Sequence, residues 1–66
     1  MDIEHYDRVL RLLDVLVDAR IYAGAEFEAL ANERNYKDAQ IFETIMDELR
    51  AQIRTVTEYK KVLKGE

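Results

Sequence analysis

Asn32-Glu33-Arg34-Asn35-Tyr36-Lys37-Asp38 divides two long stretches whose apolar residues match when the chain is folded back on itself there. Before it, Ile3, Tyr6, Val9, Leu10, Leu13, Leu16, Val17, Ala23, Phe27, Leu30 and Ala31 recur at three- and four-residue steps. After it, Ala39, Phe42, Ile45, Met46, Leu49, Ile53, Val56, Tyr59 and Leu63 do the same. Such spacing marks amphipathic helices; strands would alternate at every second residue. The reading is an all-α, antiparallel helical hairpin in a single domain over 1–66. It has a helix over about 3–33, a turn over about 34–36 and a second helix over about 36–63.

Asn35 is the expected break. Asparagine tolerates the left-handed conformation that ends helices and equally serves as an N-cap, so both roles are open. Asp38 stands three residues later, where a carboxylate favours a helix N-terminus. Lys60, Lys61 and Lys64 crowd the far end of the second arm, where cations favour a helix C-terminus. Folding about residue 35 sets Phe27 against Phe42, Gly24 against Met46, Leu16 and Val17 against Ile53, and Leu13 against Val56. It also sets Val9 near Tyr59, and acidic Asp2, Glu4 and Asp7 near the terminal lysines. With no proline and glycine only at 24 and 65, the helices can run almost uninterrupted. Gly24 has two readings: a small residue that lets Met46 approach, or a break that yields a three-helix monomer. No capping residue flanks it, which favours the first.

A chain of 66 residues supports one small domain, and such domains are marginal unless the core is enlarged. The first arm is apolar over a wider arc than one partner helix requires. Leu12, Ala19 and Leu30 extend one flank, Ile21 extends the other, and Val15 and Tyr22 interrupt the polar side. A homodimer forming a four-helix bundle is therefore expected, with Leu12, Leu16, Ala19, Arg20 and Ala23 at the subunit contact. Arg20 breaks the apolar arc. It must extend its charge to water, meet a carboxylate, or set the register of an interface.

The composition gives little material for catalysis. There is no cysteine, which excludes disulfides and thiolate zinc sites, and no serine. No histidine lies near the three threonines in sequence, no glycine-rich phosphate loop occurs, and no Glu-x-x-His pair suits a di-iron bundle. His5 reads as a solvated first-turn residue, and Asp14 with Asp18 as part of a solvated acidic stripe. No catalytic residue, cofactor or metal is assigned. A composition 48% hydrophobic and 36% charged is that of a folded chain, and the net charge of −4 argues against general nucleic-acid binding. The N-terminal residues lack the basic region of a secretory signal, and no apolar run suits a membrane span, so a cytoplasmic protein is expected.

The leading expectation is a non-enzymatic protein–protein interaction module: an adaptor, regulator or inhibitor acting through helix surfaces, partnered by itself and by another protein. Arg50, Arg54, Lys61 and Lys64 share one face of the second arm and form a candidate nucleic-acid or partner surface. On that face a nucleic-acid-binding hairpin dimer is the alternative. A further one is an acidic decoy that presents Asp7, Asp14 and Asp18 to a nucleic-acid-binding protein. The turn segment Ala31-x-x-x-x-Tyr36-x-x-Ala39, followed by Ile45 and Leu49, resembles the helical hairpin of the UVR motif of nucleotide-excision-repair proteins. That resemblance covers under a third of the chain and implies a protein-docking role.

Overall fold

The computed structural model describes residues 2–65. Two helices, α1 (Ile3–Asn32) and α2 (Tyr36–Lys64), lie antiparallel and account for nearly all of them. Each end has a local cause. Asp2 caps α1, its carboxylate accepting the His5 backbone N–H at 3.3 Å. At the other end, the Asn35 N–H donates to the Leu30 carbonyl (2.9 Å) and the Arg34 N–H to that of Ala31 (3.0 Å). These are the paired bonds of a Schellman motif, which requires a left-handed residue at its pivot. Arg34 takes that conformation, with φ 62°. Asn35 is thus the N-cap of α2 and leaves the left-handed role to its neighbour. Its side-chain oxygen accepts from the Asp38 N–H (3.3 Å), and its amide donates to the Asp38 carboxylate (2.9 Å). α2 ends at Gly65, which adopts φ 79°, with Lys61 and Lys64 in the last turn.

The turn therefore falls at 33–35, one residue earlier than the sequence pattern placed it. α1 runs unbroken through Gly24, so no third helix forms among the described residues. A Cβ built on Gly24 would stand 3.4 Å from the Met46 sulfur, which is the close approach the small residue permits.

Between the helices runs a seam with the spacing three, four, three, four. On α1 it passes through Tyr6, Val9, Leu13, Leu16, Arg20, Ala23, Phe27 and Leu30. On α2 it passes through Ala39, Phe42, Met46, Leu49, Ile53, Val56, Lys60 and Leu63. All are buried or half-buried. This 3.5-residue period keeps a seam facing its partner when two helices supercoil left-handedly. Yet a two-helix seam covers little: among the described residues only Val9, Ala23 and Ala39 are buried. The Cα trace extends 49 × 15 × 12 Å, and its radius of gyration is 15.1 Å. A compact domain of this length would have a radius of about 11 Å.

At the open end His5 is half-buried. Its Nε2 lies 2.7 Å from the Tyr59 hydroxyl, and the two rings meet edge to face with centroids 5.8 Å apart. The histidine ties the helices together, where its position in the first turn suggested simple solvation.

Candidate interaction groove

Two antiparallel helices leave a furrow on each side of their seam, and what fills it depends on the residues one step outside the seam. On one side these are Ala19, Tyr22 and Glu26 of α1 and Ile45 of α2. With seam residues Ala23, Phe42 and Leu49 they line an open groove of about 660 Å³. The alanines keep its floor low. Tyr22, 76% exposed, and Ile45, 36% exposed, form its walls. Leu12 and Val15 continue the same flank of α1 toward the open end and are 48% and 62% exposed. Helical spacing places residues 12, 15, 19 and 22 one above another on that flank. Glu26 is the one charged residue in the lining.

The opposite side differs. Near the turn a smaller cavity is lined by Phe27, Ala31, Tyr36, Ala39, Gln40 and Glu43. Farther along, Arg50, Arg54, Lys61 and Lys64 are all exposed. A helical projection sets Arg50, Arg54 and Lys61 on this flank together with Glu43, Asp47 and Glu58, so both signs are interleaved. Asp7, Asp14 and Asp18 are exposed on the outer surface of α1, turned away from α2. Glu4, Asp7, Arg8 and Arg11 surround a shallow depression near the open end.

The residues expected at a subunit contact are distributed unevenly. Ala19 and Ala23 line the groove, but Ala23 is already buried against α2. Leu16 is half-buried in the seam, and Leu12 lies beyond the groove on its flank. Arg20 stands in the seam without lining the groove. It is half-buried, and no buried side-chain nitrogen or oxygen among the described residues lacks a partner. Its guanidinium therefore reaches water while its stem covers apolar neighbours. The sequence pattern missed the contribution of α2. Phe42, Ile45 and Leu49 stand at three- and four-residue steps, and two of them also belong to the seam. Only the pairing of the helices reveals their second, outward side.

Comparison with protein-family models, curated proteins and solved structures returns no match. The likeness of the turn to a UVR hairpin is thus carried by its own residues alone. Among the described residues no helix is long and apolar enough to cross a membrane.

Proposed function

We propose that the protein is a small non-enzymatic interaction module, an adaptor, regulator or inhibitor, whose working surface is the groove between Tyr22 and Ile45. One observation carries this reading: both helices contribute apolar side chains to the same unfilled concave face. Covering such a face releases water from apolar surface, and contiguous exposed apolar patches mark sites of association. Tyr22 and Phe42 are aromatic residues of the kind on which interface energy concentrates. The nucleic-acid reading has weaker support, because the basic positions of α2 share their flank with three carboxylates and the chain is acidic overall.

A photo-reactive phenylalanine analogue in place of Ile45 tests the proposal in extracts of the source cells. Discrete protein adducts are expected from position 45, and none from the same probe at Thr55, which is exposed on the outer side of α2. Equal labelling from both positions, or adducts consisting of nucleic acid, would count against it.

A further inference from the structure

We infer that the groove is filled by a second copy of this chain. The copy is turned end for end about a two-fold axis that lies between the two hairpins and crosses α1 between positions 18 and 19. The product is a four-helix bundle with its turns at opposite ends. This inference rests on the reading of the groove as a working surface and names its occupant.

Area is the first argument. The hairpin exposes 5237 Å², whereas a compact folded monomer of 7.8 kDa exposes about 4,400 Å². The surplus is roughly 850 Å², close to the ~800 Å² that each partner contributes to a stable interface of standard size. One more hairpin of the same kind removes that surplus from both.

Self-complementarity is the second. A two-fold contact requires every residue on the face to meet a suitable one at the mirrored position. With the axis between 18 and 19, Tyr22 meets Val15 of the second copy, apolar against apolar on the same flank of α1. Both residues are exposed in the single hairpin. Ala19 stands beside the axis, where the two α1 helices come closest and a small side chain is needed. On α2, Ile45 and Leu49 lie on the turn side of the axis, and Ile53 and Val56 on the other.

Length is the third. α1 spans Ile3–Asn32, so its midpoint lies within a residue of the axis. Two hairpins placed this way overlap along almost their whole length, and no apolar turn is left uncovered at either end.

The chain has no cysteine, so introduced thiols report the arrangement directly. Sedimentation of the unmodified chain at micromolar concentration should give twice the chain mass. On oxidation, Ala19→Cys should form a covalent dimer, and the double variant Val15→Cys/Tyr22→Cys should do so as well. Tyr22→Cys alone should not, because its mirrored partner is Val15. A monomer, or a dimer cross-linked by Tyr22→Cys alone, would overturn the inference. If the chain is monomeric but the Ile45 probe still yields protein adducts, the second copy is excluded and the interaction module stands. If neither appears, both fall.

Discussion

Arg34 holds the one left-handed backbone conformation among the described non-glycine residues. An L-residue with a Cβ pays about 1–2 kcal/mol for that conformation, and the Schellman motif around it favours glycine. Arg34→Gly should therefore stabilise the fold by about 1 kcal/mol, raising the thermal midpoint by about 4–8 °C. An unchanged or lower midpoint would show that the arginine side chain compensates for its backbone. Gly24 is the opposite case, a flexible residue where the backbone is ordinary helix. An added methyl there would make ordinary contact with the Met46 sulfur, at the end of a side chain that can shift. Gly24→Ala should then stabilise by up to about 1 kcal/mol, the difference in helix propensity. Chemical denaturation measures it, and a loss of stability would mean that Met46 has no room to yield.

The helices were the most legible part of the sequence, because their apolar residues recur at three- and four-residue steps over eight turns with no proline between them. Asn35 and Asp38 marked the start of α2 from their chemistry alone. Arg34 was not foreseen, since nothing about an arginine announces a left-handed backbone. The groove was half legible. The surplus apolar surface of α1 was evident in Leu12 and Ala19 on its flank and in Val15 and Tyr22 interrupting its polar side, but Ile45 and Leu49 were read wholly as core. A residue on a two-helix seam has an inner and an outer side, and spacing does not separate them. Truncations can. Leu13→Ala, in the seam, should cost about 2 kcal/mol, at the lower end for a leucine because the site is half-buried. Ile21→Ala, 64% exposed on the flank away from the groove, should change stability by less than about 0.5 kcal/mol. Equal costs measured by urea unfolding would mean that a third element covers Ile21.

For the whole molecule, a rod 49 Å long with three buried residues among those described has little to hold it together on its own. Its stability should depend on concentration, because association draws the folded form away from the unfolded one. The thermal midpoint is expected to rise steadily as the protein is concentrated, and an invariant midpoint would identify a self-sufficient monomer. The hairpin also sets an order of events. Facing residues are close in sequence at Asn35 and grow farther apart toward the open end, so the entropy lost in joining them rises along the rod. Folding should begin at the turn and close like a zip, finishing with the bond between His5 and Tyr59, which are 54 positions apart. In stopped-flow measurements Asn35→Ala should mainly slow folding, whereas Tyr59→Phe should mainly speed unfolding. The asparagine that caps α2 thus governs how quickly the protein forms, and the tyrosine at the far end how long it lasts.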